Sequence, residues 1–369
     1  MSKKIYFDYQ ATTPVSKNVL KKMLPYFTKN FGNPHSNNHE FGRVANEAVE
    51  DARSIVAKMI NAQSNEIIFT SGATESNNFV IKSIAKNFST KDFQIITCLT
   101  EHKCILESCY QMEKEGYKVI YLEVNQEGLL NLEILENYLK EKKSLVSLMS
   151  ANNEIGVCHD VSKIGELCEK YGAIFHSDIA QSVGTQKIDI ESMKINAASL
   201  SGHKIYGPKG IGALFVSNSI KNLLRPMISG GGQEMGLRSG TLSPALCVGL
   251  GEACNDLIKN RKKYFEHFKK LKSCLLSELI KSKLDFEING SVEKRIPNNL
   301  NISIRGKTAE QLFNFIPQFA LSSGSACTSG SIERSHVLSA LNLEISKIDE
   351  SFRISFGRNS TKPEIKKLI

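Results

Sequence analysis

The sequence predicts an α/β protein in two parts: a large domain built on a mainly parallel sheet sandwiched by helices, and a smaller α+β domain. Three observations predict it. The 369 residues exceed the ~150 of a typical single domain. Short apolar runs alternate with amphipathic stretches through the first two thirds, the pattern of strand–helix units whose strands are covered on both faces. Near Leu257 the texture changes to a long Lys- and Leu-rich helical segment.

In chain order, Ile5–Asp8 reads as a short strand. Seven candidate strands follow at Glu66–Ser71, Gln94–Thr100, Lys118–Val124, Leu145–Ala151, Ala173–Asp178, Ala197–Ser201 and Ile211–Val216. Each is a short apolar run bounded by polar residues or glycine. Ser76–Asn87 and Val161–Tyr171 have helical spacing. Beyond the helical segment lie strands at Asn299–Ile304 and Ser351–Ser355. The expected division is 16–257 for the large domain and 1–15 with 258–369 for the small one. Residues 321–335, rich in small polar side chains, read as a mobile loop.

Composition excludes several classes. With 41% hydrophobic and 23% charged residues the chain is neither disordered nor collagen-like nor a membrane channel. No apolar run is long enough to cross a bilayer, and Met1–Lys4 is not followed by the apolar stretch of a secretory signal. A cytoplasmic protein without membrane association is expected. The net charge of +9 is spread over helix faces such as Lys259–Lys272 and Lys281–Lys283, with no zinc-finger or stacking-aromatic motif. It reads as solubility and attraction to an acidic partner, not as direct nucleic-acid binding. Nine cysteines, without a CxxC, suggest neither a disulfide scaffold nor a zinc site, and no resident metal is expected. Most are expected to be small buried side chains in a reducing compartment.

Ligands of parallel α/β sheets sit beyond the carboxyl ends of the strands, and polar clusters fall there. Ser71–Ser76 follows one strand; its small residues leave backbone N–H groups at a helix start, able to hold a phosphate. An ordinary cap by Thr74 or Ser76 accounts for the same turn taken alone. Glu101–Lys103 and Ala151–Glu154 follow two more strands. Asp178 ends an apolar strand, where its carboxylate needs a cation or several donors. Lys204 lies between a strand and a glycine/proline turn; such an amine can form a Schiff base with an aldehyde cofactor. Lysine, aspartate and phosphate cradle together describe a pyridoxal phosphate site.

These stretches occur with others in a familiar order: Tyr6–Pro14, Gly32–Pro34, Thr70–Ser76, Glu101–Lys103, Asn152–Gly156, His176–Gln181, Ser201–Lys204, Arg238–Thr241, Ser322–Ser329 and Arg353–Arg358. Together they resemble the cysteine desulfurases of the NifS/IscS type, within the class V aminotransferases and fold-type I pyridoxal phosphate enzymes, over nearly the whole chain. The resemblance implies that L-cysteine is converted to L-alanine, with the sulfur left as a persulfide on Cys327. Lys204 would carry pyridoxal 5'-phosphate and move the Cα proton. Asp178 would pair with the ring nitrogen, and His102 would stack on the ring. Asn153 and Gln181 would contact ring substituents. Ala73, Thr74, Ser201 and His203 would bind the phosphate, with Thr241 reaching in from the other subunit of a homodimer. Arg353, and Asn153 beside it, would bind the substrate.

The loop Ser322–Ser329 marks the relatives that feed iron–sulfur scaffold proteins, so the expected partner is such a scaffold or another sulfur acceptor. The resemblance further implies that the sulfur would also serve tRNA thiolation and that Cys327 would transiently ligate a nascent iron–sulfur cluster. Met235 stands where relatives often carry arginine, and Gln10 where they carry a smaller residue. The chain ends at Ile369, where relatives continue into a tail used for scaffold docking. Two other readings stand beside this one: a selenocysteine lyase or related lyase, which has no need of Cys327, and a non-catalytic subunit that keeps only the fold.

Overall fold

The structure, a computed structural model, describes residues 4–323 and 334–369. Strand β1 (Ile5–Tyr6) is followed by seven strands in the expected places: β2 (Ile67–Thr70), β3 (Phe93–Cys98), β4 (Lys118–Leu122), β5 (Lys143–Ser147), β6 (Ile174–Asp178), β7 (Ala197–Ser201) and β8 (Gly212–Val216). They form one sheet in the order β2-β8-β7-β6-β5-β3-β4. All neighbours are parallel except at β8, which runs against both β2 and β7.

Successive side chains of a strand point to opposite faces, and the core divides accordingly. Ile67, Phe69, Ile96 and Phe215 enter one apolar cluster, covered by the helices Glu40–Met59, Val161–Lys170 and the first half of Pro244–Ser282. Ile68, Ile95 and Leu214 enter the other, under the helices Ala73–Ala85 and Lys103–Lys114. Burial on both faces makes these strands read as continuous apolar runs.

A third cluster joins Ile5 and Phe7 to Phe268, Leu271, Leu275 and Leu279 and to an antiparallel sheet, β12-β10-β9. Its strands are β9 (Phe286–Ile288), β10 (Asn299–Ile304) and β12 (Ser351–Ser355). Strand β1 pairs in parallel with β11 (Phe319–Ala320). The helix Pro244–Ser282 is continuous through Leu257 and serves both parts. Ser243 caps it, Pro244 occupies its first turn, and Lys283 ends it in a left-handed conformation. Arg358, just beyond β12, clamps its middle: the guanidinium bonds Asp256 at 2.5 Å and lies over the rings of Tyr264 and Tyr206.

Three local expectations are corrected. The helix expected from Ser76 starts at Ala73, with Gly72 at its N-cap and no side-chain cap. Neither Thr74 nor Ser76 caps it; the Ser76 hydroxyl instead meets Thr70 Oγ1 and the Gly72 carbonyl. Strand β5 ends at Ser147, so Leu148–Ala151 lie beyond it, where the chain turns toward Asn152. Among the described cysteines, Cys98, Cys109, Cys168, Cys247 and Cys254 are buried as expected, while Cys104, Cys158 and Cys274 are partly exposed. Among the described residues no group of side chains forms a metal site, and no helix is long and apolar enough to cross a membrane.

Candidate active site

A cavity of about 500 Å³ opens at the carboxyl ends of β2, β3, β6 and β7. It collects Ala73, Thr74, His102, Asn153, Asp178, Gln181, Ser201, His203 and Lys204, nine of the side chains singled out in the sequence. Ala11 and Thr12, on the segment after β1, close it from the other side. Thr241 is exposed and does not line it. Arg353 lies on β12, its guanidinium 2.6 Å from both the Asn153 carbonyl and the Asp8 carboxylate. Cys327 lies outside the described residues.

Each position follows from local structure. Because β2 runs straight into the helix Ala73–Ala85, the first turn's amides face the cavity without a side-chain cap. Gly212 allows this approach: a Cβ there would stand 2.6 Å from Gly72 Cα and 2.4 Å from the Leu200 carbonyl. Glu75 steadies the same turn, accepting from Ser71 N–H at 2.7 Å and from Arg238 Nε at 2.9 Å. Burial pushes the Glu75 carboxyl up, but these donors outweigh it and hold it below its ordinary value.

Arg238 sits on a loop that is itself pinned through Glu234. The Glu234 carboxylate, only 1% exposed, accepts from both terminal nitrogens of Arg53 and from Phe69 N–H. Desolvation pulls Arg53 down, yet Glu234 more than offsets it and the guanidinium titrates above its ordinary value. Met235 follows in a left-handed conformation, exposed, its sulfur 2.9 Å from Lys221 Nζ.

Asp178 ends β6 with its carboxylate satisfied by donors: Ala180 N–H at 2.9 Å and Asn77 Nδ2 at 2.8 Å. His102 caps the helix Lys103–Lys114, its Nδ1 accepting from Cys104 N–H. Burial lowers the His102 pKa, with Asp178 pulling the other way. Lys204 Nζ donates to the carbonyls of Gln10 and Ala11 at 2.6 and 3.0 Å, and Gln181 donates to the same Gln10 carbonyl. Gln10 is thereby a hub; its side chain also accepts from Asn299 of β10. His203 bonds Thr12 Oγ1, and burial together with Lys204 and Lys209 depresses it to about 4.

Sequence reasoning missed Asn77, Cys104, Gln10 and Asp8 as parts of this site. For Asn77 a signal existed, since it shares the apolar stripe of Val80, Ile81 and Ile84. The other three are set by tertiary contacts that no spacing reveals.

The residues present fit pyridoxal phosphate. The helix start offers uncapped amides for an anion, Asp178 a carboxylate and Lys204 an amine. The buried Asn153 Oδ1 has no hydrogen-bond partner among the described residues and needs a donor in the cavity.

A mainly parallel sheet with lysine and aspartate on one cavity at its strand ends defines a fold-type I transferase, and residues 5–368 match the class-V aminotransferases; the chain belongs to that family. At closer range it is similar to curated proteins named cysteine desulfurase. It is 48% identical to the IscS of Rickettsia bellii, covering 98% of this chain and 88% of the relative. It is likewise 48% identical to a probable mitochondrial cysteine desulfurase of Dictyostelium discoideum, covering 98% and 80%. Among solved structures, a NifS-like protein superimposes with a TM-score of 0.92 at 34% identity, covering 99% of this chain and 97% of that one. A protein solved in complex with cysteine, SspA, gives 0.83 at 37%, covering 95% and 98%.

Proposed function

We propose that the protein is a pyridoxal phosphate-dependent cysteine desulfurase that takes sulfur from L-cysteine, releases L-alanine and delivers the sulfur to an acceptor protein for iron–sulfur cluster assembly. The convergence of Lys204, Asp178 and His102 on one cavity with an uncapped helix start carries this reading. The cofactor, when bound, supplies an electron-withdrawing ring that lets bonds next to the substrate's amino group break. The amides of Ala73 and Thr74, with Ser201 and His203, hold the phosphate. With the cofactor bound, Asp178 would pair with the ring nitrogen, His102 would stack on the ring, and Asn153 and Gln181 would contact its substituents. Lys204 holds the cofactor and moves the Cα proton. Arg353, kept in place by Asp8 and the Asn153 carbonyl, receives the substrate carboxylate.

Cys327 acts as nucleophile. Its thiolate attacks the substrate sulfur; the S–S bond forms, the C–S bond breaks, and the electron pair left on carbon takes a proton to complete alanine. Persulfide and alanine together account for every atom of cysteine and thiol. Residues 16–257 form the cofactor-binding domain, and 1–15 with 258–369 the domain that brings Arg353 and Cys327. The active form is a homodimer in the cytoplasm; exposed Leu20, Leu24, Phe27, Phe31 and Phe41 support an apolar contact surface. An iron–sulfur scaffold accepts the sulfur.

The test measures sulfide and alanine together from L-cysteine and dithiothreitol. Equal amounts are expected from wild type, and neither sulfide nor persulfide from Cys327→Ala, which keeps the visible absorbance of bound cofactor. Cofactor bound with no product from wild type refutes the desulfurase; full activity in Cys327→Ala favours a lyase that has no need of the thiol.

A further inference from the structure

Asn77 and Cys104 connect two of the groups assigned above. Asn77 is fully buried, and its Nδ2 lies 2.8 Å from Asp178 Oδ2 and 3.2 Å from Cys104 Sγ. The carboxylate fixes which end of the amide faces it, because an amide oxygen there would meet another acceptor. Cys104 Sγ lies in turn 3.1 Å from His102 Nδ1, which also accepts the Cys104 main-chain N–H at 3.2 Å. A ring nitrogen that accepts from a main-chain N–H carries no proton of its own. The thiol is therefore the donor in the S···N contact, and the neutral ring keeps its proton on Nε2. Burial, reinforced by Asp178, pushes the Cys104 thiol up to about 12, so it retains the proton this requires.

We propose that Asn77 and Cys104 are positioning residues that hold Asp178 and His102 as one unit, Asn77 aligning carboxylate and thiol and Cys104 locking His102 as its Nε2–H tautomer. The inference rests on the roles given above to Asp178 and His102. The groups facing the ring are Asp178 from β6, Lys204 from the turn after β7, His336 from the helix His336–Ala340, and Cys104 from the ring's own helix. Asp178 favours the protonated ring; Lys204 and His336 oppose it. The thiol can donate only to the unprotonated Nδ1. Its removal is therefore expected to raise the His102 pKa by about 0.5–1 pH unit.

The experiment is side-chain ¹⁵N NMR of histidine-labelled, full-length protein as purified and without substrate, with His102→Gln identifying the signal. Wild type is expected to show a protonated Nε2 and an unprotonated Nδ1 at neutral pH. Cys104→Ala should titrate higher by the amount above, with Cys104→Ser, which keeps a donor, between it and wild type. Asn77→Leu should raise the His102 pKa in the same direction. If that variant fails to fold, the alanine–serine pair alone decides. An Nδ1–H tautomer in wild type, or alanine and serine variants that both titrate like wild type, overturns the relay. Absence of sulfide from wild type with the predicted titration intact would count against the desulfurase reading and not against the relay.

Discussion

Replacing Arg53 by methionine removes the guanidinium that lies 4.7 Å over the Phe69 ring and takes the cation from a carboxylate that is almost fully buried. Glu234 is then left with the Phe69 N–H at 2.6 Å as its remaining donor among those described above. Removing one partner of a buried pair costs about 3–5 kcal/mol, because the survivor stays desolvated without its counter-charge. At roughly 2.1 cal/mol/K per residue the unfolding entropy of a chain this long converts that loss into about 4–6 °C in melting temperature.

Chemical denaturation of Arg53→Met, Glu234→Gln and the double variant, at pH 8 and pH 5.5, measures the effect. The double variant should recover part of the loss, since its amide needs no counter-charge. The single Arg53 variant should suffer less at pH 5.5. An uncompensated carboxylate has its folded-state pKa raised, so protonation as the pH falls relieves the penalty, which is fully felt only above that raised value. A loss below about 1 kcal/mol, or a double variant no better than Arg53→Met, would refute the claim that this pair pins the loop carrying Arg238.

Two further outcomes follow from geometry already described. Gly212→Ala drives a methyl group into main-chain atoms of Gly72 and Leu200, none of which can rotate away; a loss of about 1–3 kcal/mol or more and weaker cofactor retention are expected, read by melting and visible absorbance. His176 is fully buried between Ser147 and Ser199, and burial depresses it to about 3, so below pH 6.5 the unfolded chain gains a proton that the folded one refuses. Stability should fall with pH there by up to about 1.4 kcal/mol per pH unit from this group, and urea midpoints at pH 7 and 5.5 should show a shallower fall in His176→Gln. Burial raises the Glu101 carboxyl, which pulls the opposite way in both proteins, so the comparison between them isolates the histidine.

The central sheet was legible because strands buried on both faces must be apolar throughout, and a run such as Ile67–Phe69 has few other uses. β9 and β11 escaped notice for the complementary reason: at three and two residues, they are too short to show alternation. The change of texture at Leu257 is real in composition, yet it falls inside one helix; the visible start signal was Ser243 followed by Pro244. Lys204, Asp178 and His102 could be placed at the cavity because strand ends fix where side chains emerge. Gln10 could not. Its carbonyl receives Lys204 and Gln181 only because the segment after β1 crosses from the small sheet to the rim of the large one. Main-chain atoms used as acceptors leave no residue-type signature.

The helix Pro244–Ser282 also has a mechanical meaning. At 1.5 Å per residue its 39 residues make a bar about 58 Å long, and between Glu252 and Ser282 it contains neither proline nor glycine, the usual points of bending. One end is embedded beside the large sheet, the other beneath the small one, and Arg358 bolts the middle. Rotating one cluster against the other would break helical hydrogen bonds with no weak point to localise the damage. The placement of β12, which carries Arg353, against the large sheet whose turn carries Lys204 is thus held by a stiff member with no hinge along it.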